Sequence, residues 1–142
     1  MDERNNSLSS LKFINYIVNS VNYKTNDKLN ENGPWQLNFD ITNTTKINEE
    51  KNKMAITLAI NVFKGLENAP FYIDVEITGY FELEGEDDIS KYEANSIAIM
   101  YPYLRAIVSN YTSSANVSPV ILPAINVNAM LKRKEEAKKD LN

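Results

Sequence analysis

Apolar and polar residues alternate along three long stretches of the chain, and each alternation predicts a strand with one buried face. From Trp35 to Ile41 the apolar positions are Trp35, Leu37, Phe39 and Ile41, with Gln36, Asn38 and Asp40 between them, the period of two expected of a half-buried strand. After a polar connection from Asn43 to Lys53, Met54, Ile56, Leu58, Ile60 and Val62 repeat the pattern. Phe71, Ile73, Val75, Ile77, Phe81 and Leu83 supply a third strand, facing away from Tyr72, Asp74, Glu76, Thr78 and Glu82. Gly65 and Asn68-Ala69-Pro70 mark the turn between the last two. The segment from Leu11 to Tyr23 is also β-rich, but Phe13, Ile17 and Val21 lie on one phase and Ile14, Tyr16 and Val18 on the other. Apolar residues on both phases predict that both faces are partly covered, as at a subunit contact.

The period then changes. Ile97, Met100, Tyr101, Leu104, Ile107, Val108 and Tyr111 recur at spacings of three and four, which predicts a helix from about Lys91 to Thr112 with one apolar face. Ser90-Lys91-Tyr92-Glu93 reads as a capping box for its start. Pro102 sits mid-helix, where the missing amide costs about 3 kcal/mol unless a kink or packing offsets it. Thr112 to Asn116 ends the helix, Pro119 and Pro123 keep the next stretch extended, and Asn126 or Asn128 caps a final helix through Lys139. Four strands followed by two helices predict an α+β fold, a four-stranded antiparallel sheet with a long helix and a short C-terminal helix packed on one face. Tyr101, Tyr103 and Tyr111 point around more than one side of the long helix, so part of its surface is expected to meet another subunit. Phe13, Ile17, Tyr101, Leu104 and Val108 are the candidate contacts. The expected division is a flexible segment 1–10, one domain 11–131 and a charged helical tail 132–142.

Composition narrows the function. The 142 residues suffice for one domain and one core. No apolar run approaches the roughly 20 residues of a membrane span, and Met1 to Ser10 is polar, so the expectation is a soluble, cytoplasmic protein without membrane insertion. The chain has no cysteine and no histidine, which removes disulfides, thiol nucleophiles and the imidazole base. A net charge of -4 argues against nucleic-acid binding, although Lys132, Arg133, Lys134, Lys138 and Lys139 crowd the C-terminus. Only four glycines are present, and none forms a phosphate-cradling loop. The acidic run Glu82, Glu84, Glu86, Asp87 and Asp88 lacks the alternating donors of a calcium loop and reads as a solvated turn. Asp74 and Glu76 share a sheet face at about 7 Å, but no nucleophile accompanies them. No catalytic residue, metal or cofactor is expected.

Two proline motifs carry a resemblance. Met100-Tyr101-Pro102-Tyr103-Leu104-Arg105 and Leu122-Pro123-Ala124-Ile125-Asn126-Val127 resemble the SecB family of protein-export chaperones, in which a tyrosine- and proline-bearing helix precedes a Leu-Ala-Pro-(Ile/Val)-Asn-Phe segment and a last helix. Both are imperfect copies, and the resemblance covers roughly residues 11 to 131. It implies a homotetramer built as a dimer of dimers, with the long helices packed between paired sheets. It also implies an ATP-independent holdase that keeps unfolded polypeptides or preproteins soluble and export-competent. Tyr103, Leu122, Val127, Met130 and Leu131 fall in segments that border the family's apolar client groove. Trp35 either fills the core or joins that aromatic cleft. Asp74 matches an acidic position of the outer sheet face that docks the motor SecA, with Glu76 beside it, while Ser20 and Lys24 stand where better-known members carry acids. Arg105 is expected in a structural ion pair or helix-end contact. Alternatives are a dedicated chaperone for the antitoxin of a toxin–antitoxin pair, a small enzymatic or ligand-binding domain, and a structural or interaction protein sharing the fold.

Overall fold

A computed structural model describes residues 10–26 and 35–140. The expected flexible segment 1–10 thus falls almost wholly outside the described residues. The elements run β1 (Ser10–Thr25), β2 (Phe39–Ile47), β3 (Lys53–Val62), β4 (Phe71–Glu84), a 3-10 turn (Ile89–Tyr92), α1 (Glu93–Ser114) and α2 (Val127–Asp140). The strands form one antiparallel sheet in the order β1-β4-β3-β2. This is the architecture that the pattern predicts. Every apolar residue read onto the buried faces of β3 and β4 is buried, and α1 covers them with Ile97, Met100, Leu104 and Val108. The helix lies close to the sheet at Gly79, where a Cβ would come within 2.7 Å of the Met100 sulfur.

β1 explains its mixed phases. Its pairing with β4 slips between Phe13 and Asn15 and again between Val18 and Ser20, so Ile14 and Asn19 are the extra residues of two bulges. Each bulge resets the alternation. Leu11, Phe13, Tyr16, Val18, Val21 and Tyr23 therefore all pair with core-facing residues of β4, while Ile17 pairs with Thr78 on the outer face.

The second strand starts and ends later than the alternation predicts. Trp35 to Asn38 is extended but outside the ladder, and the polar run from Asn43 to Ile47, expected as connection, continues β2 against β3. Thr42, Thr44 and Thr45 are β-branched and suit a pleated surface. The turn is confined by Asn48, whose side-chain oxygen accepts the backbone amides of Asn52 at 3.0 Å and Lys53 at 2.9 Å, while Lys51 takes a left-handed φ of 59°.

The start of the long helix also differs. Asp88 caps the preceding 3-10 turn, its carboxylate accepting the Ser90 amide at 2.9 Å, and α1 then begins at Glu93 with Tyr92 at its N-cap position and no side-chain capping bond, where Ser90 was expected to cap it. α1 runs uninterrupted through Pro102. Asn126 is the cap of α2, accepting the Ala129 amide at 2.9 Å. That helix continues through the boundary drawn at residue 131.

Candidate functional site

Between α1 and α2 the chain crosses the end of the sheet in an extended loop, and side chains of α1 hold it at two points. Thr112 donates to the Val108 carbonyl at 2.8 Å and accepts the buried Val120 amide at 3.0 Å. The Tyr101 hydroxyl donates to the Pro123 carbonyl. Burial pushes the Tyr101 phenol above its usual range, so it stays protonated as a donor. With the loop pinned, Val120 and Leu122 point into the core and Ile121, 73% exposed, points out.

This loop and α2 face the extended chain from Trp35 to Asn43, and two hollows open between them. One, about 240 Å³, is lined by Trp35, Leu37, Phe63, Pro70, Phe71, Ser118, Pro119, Val120 and Ile121. The other, about 550 Å³, is lined by Phe39, Asp40, Ile41, Thr42, Asn43, Ile125, Asn126, Met130, Arg133 and Lys134. Leu37, Phe39 and Ile41 succeed one another along the chain, as do Ile121, Ile125 and Met130 on the opposite wall. The hollows thus form successive parts of one groove along the β2 edge.

That edge carries backbone groups as well as apolar ones. Asn38 turns its carbonyl toward β3, where it accepts the Phe63 amide at 2.8 Å. Asn43 turns its carbonyl the other way, where it receives the Lys134 ammonium from α2. Alternation then directs the N–H and C=O of Phe39 and Ile41 out of the ladder, toward the groove. An extended chain laid there has an apolar floor, a hydrogen-bonding edge and a helical far wall.

The residues singled out from sequence fall into separate places. Met130 and Trp35 line the groove. Leu122 is buried in the core at 1% exposure, and Val127 and Leu131 pack partly buried against it without lining either hollow. Tyr103 lies over the opposite edge, its ring 4.7 Å from Tyr16 and 5.7 Å from Phe13. Of the candidate subunit contacts, Tyr101, Leu104 and Val108 are buried inside the single chain, Phe13 stacks on Phe81, and Ile17 is exposed on the outer sheet face. Exposed apolar side chains near the β1 edge include Ile14, which lines a hollow with Tyr80 and Glu82, Val18, and Tyr103 of α1. Asp74 is exposed on the outer face opposite Asn22 and Asn61, and Glu76 accepts the Asn19 amide at 3.0 Å. Arg105 stacks over the Tyr101 ring at 5.9 Å, where an ion pair or helix-end contact was expected.

Sequence reasoning missed the groove positions of Leu37, Phe39, Ile41, Ile125, Arg133 and Lys134. Their alternation was visible, but which strand forms an edge is a property of sheet order. Among the described residues, no group of three or more carboxylates could hold a metal ion and no helix is long and apolar enough to cross a membrane.

Comparison with known proteins gives this geometry a family. An uncharacterised protein of Methanocaldococcus jannaschii, MJ0357, is 37% identical over 137 residues, spanning 92% of this chain and 88% of its own length. The protein-export protein SecB of Anaplasma phagocytophilum is 26% identical over 85 residues, 55% of this chain and 54% of that one. Among solved structures, the SecB-like chaperone Rv1957 of Mycobacterium tuberculosis, in complex with a ChAD peptide from the HigA1 antitoxin Rv1956, superposes with a TM-score of 0.63 at 14% identity. The match covers 82% of this chain and 88% of that one. A Streptococcus agalactiae protein of unknown function superposes with a TM-score of 0.51 at 17% identity, over 82% of this chain and 99% of its own. At such identities the likeness is one of fold. The family of preprotein translocase subunit SecB, however, matches the sequence itself over residues 18–138, and the chain therefore belongs to the SecB family.

Proposed function

We propose that this protein is an ATP-independent holdase, a chaperone that seats extended segments of non-native polypeptide in the groove between β2, the crossing loop and α2. The observation that carries the reading is the pairing of an outward-facing backbone edge at Phe39 and Ile41 with apolar walls from Ile121, Ile125 and Met130. Backbone pairing and apolar contact are indifferent to sequence, as a holding chaperone requires. One such groove binds weakly, because each buried side chain contributes about 1.5–3 kcal/mol before ordering is subtracted. A dimer of dimers would present four grooves to one client and raise avidity by about two to four orders of magnitude. In this reading the chaperone works in the cytoplasm and delivers preproteins for export. Asp74 and Glu76 are then the docking surface for SecA, without acidic help from Ser20 or Lys24.

The test uses light scattering and a permanently unfolded, reduced protein. Ile121→Asp with Ile125→Asp is expected to keep the far-ultraviolet circular dichroism and weaken client binding at least about tenfold; unchanged affinity would remove the groove from the mechanism. Leu122→Asp serves no such test, since its side chain is core.

A second reading is a dedicated chaperone of one antitoxin, favoured by the shared fold of the Mycobacterium tuberculosis chaperone and the antitoxin peptide in that complex. Tight binding of a single partner alongside indifference to unrelated unfolded proteins would distinguish it.

A further inference from the structure

The groove is not electrically neutral. Two charged side chains of α2, Arg133 and Lys134, line its larger hollow, while Asp40, between Phe39 and Ile41 and paired with Asn61, turns its carboxylate to the outer sheet face. Lys134 spends one of its three donors on the Asn43 carbonyl. Arg133 is exposed and, among the described residues, belongs to no ion pair; the described pairs join Lys12 to Glu84, Lys51 to Asp88 and Lys91 to Asp87. Two cations thus stand at one end of the groove in a chain whose net charge is -4. The local sign opposes the global one, so whole-molecule attraction does not explain it.

Position along the groove gives this charge a meaning. Phe39 and Ile41 offer the outward backbone edge and the apolar floor, and Ile125 and Met130 the facing wall. Beyond them, Lys134 closes the ladder at Asn43, with Arg133 one residue earlier on α2. An extended occupant pairing with Phe39 and Ile41 would meet apolar surface first and guanidinium and ammonium donors next. A guanidinium binds a carboxylate through two parallel bonds, and contact with a partly desolvated groove strengthens them.

Resting on the holdase reading, we propose that this groove selects extended polypeptide segments in which an acidic side chain flanks alternating apolar residues, with Arg133 and Lys134 as the groups that read the carboxylate. The protein would accordingly favour clients with acidic-apolar segments over equally apolar basic ones.

Fluorescence anisotropy with three labelled, terminally blocked peptides tests this. All share an alternating apolar core, and the two flanking residues are Asp-Glu, Asn-Gln or Lys-Lys. The acidic peptide is expected to bind at least about tenfold more tightly than the neutral one at low salt, with the preference shrinking as ionic strength rises. Arg133→Gln is expected to bring the ratio near one, and Arg133→Glu to reverse it toward the basic peptide. Equal binding of the acidic and neutral peptides to the unaltered protein would overturn the charge selection and leave the groove reading standing. Failure of all three peptides to bind would overturn both. An acidic preference that survives Arg133→Glu in a variant also carrying Lys134→Met would place the reading groups elsewhere and overturn the assignment.

Discussion

Thr112 is a helix residue whose hydroxyl serves another segment. It satisfies the buried Val120 amide while donating to Val108 and Ser109 of its own helix. Thr112→Val keeps the shape and deletes the acceptor, leaving that N–H without a partner. A buried unsatisfied amide costs about 1–3 kcal/mol, so the midpoint of urea unfolding should fall by a corresponding amount. Thr112→Ser should recover most of it, and equal losses in both variants would mean that packing of the methyl, not the hydroxyl, is what matters. Tyr101 and Tyr103 make a related point. Two positions apart on α1, one is buried with its hydroxyl on the loop and the other is exposed over β1.

At the scale of elements, the junction between β4 and α1 is where acid should act. Asp87 lies below the usual carboxylate range, chiefly through its hydrogen bond from Lys91 and then the Asp88 amide; Asp88 is lowered chiefly by the Ser90 amide. Folded values below unfolded ones mean that the stabilisation is complete above about pH 4 and is lost as pH falls through the folded values. Asp88→Asn retains a capping oxygen without that titration. Its urea midpoint should therefore drop less between pH 5 and pH 2.5 than that of the unaltered protein, and identical drops would show that Asp88 does not contribute to the acid response.

The elements also show what could be read in advance. β3 and β4 are central strands with one face under a helix, and their uninterrupted period of two maps directly onto burial. β1 carries the same information scrambled by Ile14 and Asn19, because a bulge is a decision of the pair of strands and leaves no mark in one of them. The groove suffers from a different loss. Leu37, Phe39 and Ile41 alternate as core residues do, and only the order of strands reveals that the ladder stops beside them. Arg133 and Lys134 read as tail charge until α2 is seen lying along that edge. The cap of the last helix, by contrast, needed only local chemistry, which offered Asn126 and Asn128, and the structure uses Asn126.

On the scale of the whole molecule, a four-stranded sheet has two edges, and this chain treats them differently. The β2 edge is flanked by the groove. The β1 edge has Tyr103 stacked on Phe13 and Tyr16 above it, with Val18 and Ile14 about half exposed beside it. If the proposed dimer of dimers assembles through that side, Tyr103→Asp should lower its mass in solution from four chain masses to two or one with the circular dichroism unchanged. A persisting tetramer would move the contact elsewhere. Tyr101→Asp is a poor substitute, since a charge placed among core residues unfolds the chain before it tests an interface.

If the proposed client groove and a β1 assembly edge both hold, their placement on opposite edges has a genetic consequence. A subunit with a spoiled groove but an intact β1 edge would still enter mixed assemblies with normal subunits, and each copy incorporated would remove one handhold from a client that depends on several. Such an allele would be dominant over the normal one. An allele that spoils the β1 edge would exclude itself from assembly, and it would be recessive.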